Sequence, residues 1–122
     1  MALHVAQYTL DVTDLDLMAG FWSAALGYRV ERGADGNAKL HPTPDRPAGA
    51  PTVWLQASGT GKRGKNRLHL DLVADSDPRA EVRRLLALGA RRADVGQSGD
   101  EGFVVLADPE GNEFCVLDGP PR

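Results

Sequence analysis

The chain contains a single cysteine, Cys115, so it cannot close an internal disulfide, and a reducing compartment suits it. It has no apolar run approaching the roughly 20 residues that a membrane-spanning helix requires. Basic residues are not in excess. The formal net charge is −3, whereas nucleic acid rewards a strongly basic face. The opening MALHVAQYTL has no basic n-region, apolar h-region or cleavage site of a secretory leader. These absences together lead to the expectation of a cytoplasmic protein with neither a membrane nor a nucleic-acid partner. What is present is ordinary in amount: 42% hydrophobic and 25% charged residues, close to the average for globular proteins. Over 122 residues that suffices for a packed core and one domain, and disorder is not expected.

One pattern occurs twice. From His4 to Val12 the residues alternate, with Ala6, Tyr8, Leu10 and Val12 on one face and Val5, Gln7, Thr9 and Asp11 on the other. This is the period of a half-buried strand. Thr13 or Asp14 offers a helix N-cap. Leu15, Met18, Trp22 and Ala25 follow at helical spacing, with Phe21 and Leu26 on an adjoining stripe. Gly27 stands where a left-handed C-terminal cap belongs, and an extended segment begins at Tyr28. In the second half Arg67 to Val73 alternates, with Leu68, Leu70 and Leu72 on one face. Asp77 caps a helix whose first position is Pro78, and Val82, Leu85 and Leu86 form its stripe. Gly89 ends it. Asp14 to Asp75 is a shift of 61 residues and Gly27 to Gly89 a shift of 62, which reads as a pseudo-repeat.

Further strands are expected around Ala38–His41, Thr52–Gln56, Phe103–Ala107 and Asn112–Leu117, the last two joined by a hairpin at Asp108-Pro109-Glu110-Gly111. The stretch from His41 to Pro51 holds four prolines and reads as a loop, and Ser58 to Lys65, rich in Gly and Lys, as a linker. The fold class is therefore α+β, two βαβββ modules over about 1–57 and 66–122 within one domain spanning 1–122.

Each helix must bury its stripe on a sheet, which assigns the opposite sheet face. That face collects Gln7, Trp54, Gln56, His69, Asp71, Glu113 and Cys115. A curved, partly aromatic surface with a few polar groups is a reasonable place for a small-molecule ligand. Each residue also has a plainer explanation. Asp71 and Glu113 suit a solvated sheet face, Trp54 a subunit interface, and Cys115 a small buried hydrophobe with no evident base to activate it. His69 is the sharpest choice for chemistry, because imidazole binds metals and moves protons near neutral pH. A strand histidine satisfied by a hydrogen bond is the plain alternative. His4 and His41 are assigned no chemistry. Lys62, Arg63, Lys65 and Arg67 form a basic run that reads as a solvated linker or, folded over the site, as a steering patch for an anion.

The segments HVAQYTLDVTDLDLMAGFWSAALGY, KNRLHLDLVADSDPRAEVRRLLALGA and ADPEGNEFCVLDG resemble the vicinal oxygen chelate superfamily (glyoxalase/bleomycin resistance/dioxygenase), and more closely its short bacterial glyoxalase-like proteins. The resemblance covers nearly the whole chain apart from the proline-rich loop. It implies two modules whose sheets form a cupped, incomplete barrel, and it implies a homodimer. Metal-dependent members place one ligand on each of four strands; the matching positions are Gln7, a position at or near Gln56, His69, and Cys115 where a Glu is usual. Hard divalent cations want carboxylates, and this set offers neutral amides, one imidazole and a thiol. Glu113 lies two residues before the expected position on the same face. No cofactor is therefore expected, with a divalent metal at Gln7 and His69 as the open alternative.

Two functions remain. One is an enzyme of lyase, isomerase or dioxygenase type, in which a metal polarises vicinal oxygens or His69 acts as general base beside Asp71 or Glu113. The other is a binding protein that sequesters a drug-like or aromatic ligand, as the resemblance to the bleomycin-resistance branch implies, with Trp54 stacking and the glutamines orienting it. Beyond these two, a purely structural dimer with an unused cup is the third and least economical reading.

Overall fold

The computed structural model describes residues 1–94 and 102–120. The chain divides into two compact units, Met1–Gly61 and Lys62–Arg122. Each has the order βαβββ.

In the first unit β1 (Gln7–Val12) leads into α1 (Leu15–Leu26), followed by β2 (Tyr28–Arg32), β3 (Ala38–Pro42) and β4 (Thr52–Ala57). The sheet order is β1-β4-β3-β2, with β1 and β4 parallel and the other pairs antiparallel. The alternation of β1 survives in its burial. Tyr8 and Leu10 are half-buried and Val12 is buried, while Gln7, Thr9 and Asp11 are exposed. Pairing begins only at Gln7, so His4, Val5 and Ala6 lie outside the strand that the alternation predicts, and Val5 is exposed.

Of the two cap residues that the sequence offers, Asp14 is used: its carboxylate accepts from Leu17 N–H at 3.1 Å. Gly27 closes α1 at φ 69°, where its N–H reaches Ser23 O. This region costs L-residues about 1–2 kcal/mol and glycine little. Met18, Ala19, Phe21 and Trp22 are buried, with Phe21 and Trp22 edge to face at 5.1 Å between centroids. Burying Met18, Phe21 and Trp22 stabilises the unit by roughly 5–9 kcal/mol before conformational entropy is counted. They pack over Ala38, Leu40, Val53 and Leu55, all buried.

The second unit repeats this with β5 (Leu70–Val73), α2 (Pro78–Leu88), β6 (Arg91–Arg92), β7 (Phe103–Ala107) and β8 (Glu113–Leu117). The order β5-β8-β7-β6 mirrors the first sheet, with β5 and β8 parallel. The helix cap is Asp77, accepting from Arg79 N–H at 3.0 Å. The offset between the two caps is thus 63 residues (14 to 77), not the 61 taken from Asp75, and it agrees closely with the glycine offset. Val82, Leu85, Leu106, Phe114 and Val116 form the core beneath α2.

Two strand boundaries in the second unit differ from expectation, and both trace to where β8 opens. The Arg67–Val73 segment pairs only from Leu70, because β8 opens at Glu113 and leaves nothing opposite Leu68 to extend the ladder. The chain bends at Arg67 and Leu68. Leu68 is 73% exposed instead of sharing the row of Leu70 and Leu72. The last strand starts at Glu113 and not at Asn112, whose backbone and side chain are used in the preceding turn. Lys62, counted in the linker by composition, is tied to the second unit. Among the described residues no helix is long and apolar enough to cross a membrane.

Candidate functional site

On the first sheet the register places Gln7, Thr9 and Asp11 of β1 beside Thr52, Trp54 and Gln56 of β4, and Trp54 beside Lys39 of β3. All lie on the face away from α1, since Val53, Leu55 and Leu40 occupy the other. Gln7 accepts from Thr52 Oγ1 at 3.0 Å. Gln56 pairs with Asp11, four positions along the parallel strands from Gln7. At a strand rise of about 3.3 Å per residue that is roughly 13 Å, too far for the two amides to share one ion. Trp54 is half-buried between Thr9 and Lys39. His41, assigned no chemistry, sits across from Arg29 on the same face, and its Nε2 lies 3.1 Å from Glu31 Oε1. That hydrogen bond holds the Glu31 carboxyl below its ordinary range. The pair is exposed and screened, and its energetic weight is small.

On the second sheet Asp71 faces Cys115 directly across β5 and β8. Cys115 is 5% exposed. Burial first, then the charge of Asp71 and a hydrogen bond to it, push the thiol up to about 11. It is therefore a protonated, packed group at neutral pH, and neither a ready nucleophile nor a ready thiolate ligand. Glu113 is also committed. Its two oxygens accept from Lys62 Nζ and from Asn66 N–H, each at 3.1 Å. Desolvation by itself would raise this carboxyl, but the hydrogen bonds from Asn66 and Lys62 outweigh it and hold it below its ordinary value.

His69 immediately precedes β5, level with Glu113 but not bonded to it. Its Nε2 is buried without a hydrogen-bond partner. His69 lines a cleft of about 400 Å³ together with, among the described residues, Lys65, Asn66 and Arg67. The sequence offered the basic run either as a solvated linker or as a steering patch over the face that carries His69, and Lys65 and Arg67 line the cleft with that residue. The bend at Arg67–Leu68 leaves no periodic signal. Asn66 was missed altogether.

The donor set does not fit a hard divalent cation. Gln7 and Gln56 are neutral and far apart, Glu113 is occupied by a lysine and a backbone N–H, and Cys115 holds its proton. Among the described residues no three His, Cys, Asp or Glu side chains gather at one point.

The most distinctive motif of the chain has a structural role. Asp108 is completely buried, and its carboxylate accepts from Glu110 N–H, Asn112 N–H and Asn112 Nδ2 at 2.9–3.1 Å. Asp108 N–H to Asn112 O (2.9 Å) and Gly111 N–H to Asp108 O (2.8 Å) close the turn. D-P-E-G-N is thus a carboxylate-stapled hairpin that sets where β8 begins, and through it the positions of Glu113 and Cys115.

Comparison with known proteins agrees with this architecture. Residues 7–117 match the family model of the glyoxalase-like domain. No curated protein matches the sequence at a significant level. Among solved structures, the fosfomycin resistance protein FosX from Mesorhizobium loti superposes with a TM-score of 0.73 at 16% identity, over 98% of this chain and 94% of that one. A glyoxalase/bleomycin resistance protein/dioxygenase family enzyme from Burkholderia phytofirmans superposes at 0.69 with 17% identity, over 91% and 94% of the two chains. The hypothetical protein SA1046 from S. aureus gives 0.69 at 19% identity, over 96% and 94%. With two βαβββ units, the stapled D-P-E-G-N turn and a family match over nearly its whole length, the chain belongs to the glyoxalase-like domain family and has the fold of the vicinal oxygen chelate superfamily.

Proposed function

We propose that this protein binds a small molecule in the cleft at the head of β5, with His69 as the residue that anchors it, and that its function is binding without turnover. The observation that carries this reading is that His69 lines the cleft and its Nε2 is buried without a hydrogen-bond partner. A buried polar nitrogen left unpaired costs about 1–3 kcal/mol, and a ligand group that supplies the missing bond recovers it. The neighbouring groups favour binding over chemistry. A general-base histidine benefits from a carboxylate that orients it, yet Asp71 is directed to Cys115 and Glu113 to Lys62 and Asn66. A thiol nucleophile needs its proton removed, and Cys115 retains it.

Trp54, with Gln7 and Gln56 on the same face of the first sheet, is proposed as a separate ligand contact, since a half-buried indole offers a stacking surface. A homodimer is proposed from the superfamily resemblance, and sedimentation of the purified chain tests it. A cytoplasmic location is proposed from the single cysteine, which suits a reducing compartment.

The test follows the His69 imidazole by 1H–15N correlation while a library of small aromatic and oxygenated compounds is titrated in. Ligands are expected to move the Nε2 resonance. His69→Ala should weaken them by about tenfold, the equivalent of roughly 1.4 kcal/mol, and none should be converted to product. Product formation that disappears in His69→Ala would replace binding with catalysis. Ligands bound equally well by His69→Ala would remove His69 from the site.

A further inference from the structure

The cleft beside His69 has a charge character that the binding reading leaves open. Residues 62–67 carry Lys62, Arg63, Lys65 and Arg67, four cations in six positions with no acid among them, in a chain whose net charge is −3. Lys62 is consumed by Glu113. Lys65 and Arg67 line the cleft and enter no ion pair or hydrogen bond among the described residues. Asn66 gives its backbone N–H to Glu113, which leaves its side-chain amide for the cleft. Glu113, bonded to both Lys62 and Asn66, has both its oxygens turned to these partners. The described lining therefore presents an ammonium, a guanidinium, an amide and an imidazole, and no acid.

We infer that the cleft selects an anionic small molecule whose charged end is an oxyanion, a carboxylate or a phosphate. This rests on the reading of the cleft as the binding site. The guanidinium of Arg67 presents a planar fork that matches two oxygens of such a group. Lys65 adds a point charge, and His69 Nε2 gains the partner it lacks when it donates to the same ligand. The volume of about 400 Å³ suits a ligand larger than the oxyanion alone. Because Lys65 and Arg67 are exposed, their attraction is screened by salt within a Debye length of about 10 Å at 0.1 M. Affinity should therefore fall as salt rises.

Inorganic phosphate, benzoate and benzamide serve as probes, with calorimetry for affinity and the His69 imidazole resonance for location, at low and at physiological ionic strength. Benzamide has the shape of benzoate without its charge. Phosphate or benzoate is expected to bind and move His69, with benzamide at least tenfold weaker. The double variant Lys65→Gln/Arg67→Gln changes two exposed side chains and should leave the fold intact, checked by circular dichroism. It should weaken the oxyanion at least tenfold and abolish the salt dependence while leaving benzamide unchanged. Binding of phosphate alone or of benzoate alone supports the inference equally and states which oxyanion fits. If benzamide moves His69 with the affinity of benzoate, the anion inference is overturned while the cleft remains a binding site. If no probe moves His69, both readings fall.

Discussion

Asp108 provides the sharpest test of how this fold holds its second sheet. Asp108→Ala removes a completely buried carboxylate that accepts from two backbone N–H groups, those of Glu110 and Asn112, and from the Asn112 amide. Neither backbone group has room to turn away, because the bonds Asp108 N–H to Asn112 O and Gly111 N–H to Asp108 O fix the turn. Each N–H left unsatisfied costs about 1–3 kcal/mol, more where the lost partner was charged. The Asn112 side chain is half-buried and recovers part of its loss from water. Allowing for non-additivity, the expected loss is about 3–4 kcal/mol. For a chain of this length that lowers Tm by roughly 10–20 °C. Asp108→Asn keeps the shape but offers one acceptor oxygen and sets its own NH2 against existing donors, so about 2 kcal/mol is expected. Urea unfolding followed by circular dichroism measures both. Losses below about 0.5 kcal/mol in both variants would refute the staple.

Three further outcomes follow from the same geometry. Asp14→Ala removes the cap bond to Leu17 N–H and should cost about 1 kcal/mol in urea unfolding. Cys115 should react slowly with a thiol reagent at neutral pH and faster as pH approaches about 11, and Asp71→Asn should speed the reaction by lowering the thiol's pKa. Because the folded thiol keeps a proton that the unfolded chain releases from about pH 8.5, Cys115 contributes stability that is lost as pH rises through that window. Glu113→Gln should destabilise by about 1–2 kcal/mol at pH 7. The Glu113 carboxyl is held below its ordinary value, so its contribution is present above the unfolded pKa and lost as pH falls through the folded one. The difference between Glu113→Gln and wild type should shrink in acid.

The repeat was legible because its punctuation is local. Asp14 and Gly27, like Asp77 and Gly89, act on backbone groups within a few residues, so their chemistry shows directly in the order of the chain. Strand faces were legible for the same reason wherever pairing persisted, as in Val53 and Leu55 against Trp54. They failed at Leu68, where periodicity continues in the sequence but the partner strand does not. The two-residue strand β6 (Arg91–Arg92) carries no alternation to read, and only its antiparallel partner β7 defines it.

The site divides similarly. The residue types on the helix-free faces, Gln7, Trp54, Gln56, His69, Asp71, Glu113 and Cys115, follow from alternation, and alternation sets which side of a sheet a side chain takes. Which of these are free to act is decided by contacts across the chain. Cys115 is held protonated by burial and by Asp71 from another strand, Glu113 is occupied by Lys62 from 51 positions away, and Gln7 and Gln56 are separated by a register that only the β1–β4 pairing fixes. The sequence by itself carried the family through the resemblance of its segments, and the caps and strand faces through interactions spanning a few residues or through hydrophobic period. The tertiary structure alone decided which polar groups are satisfied and which, like His69 Nε2, are not, because satisfaction depends on partners that the order of the chain does not place.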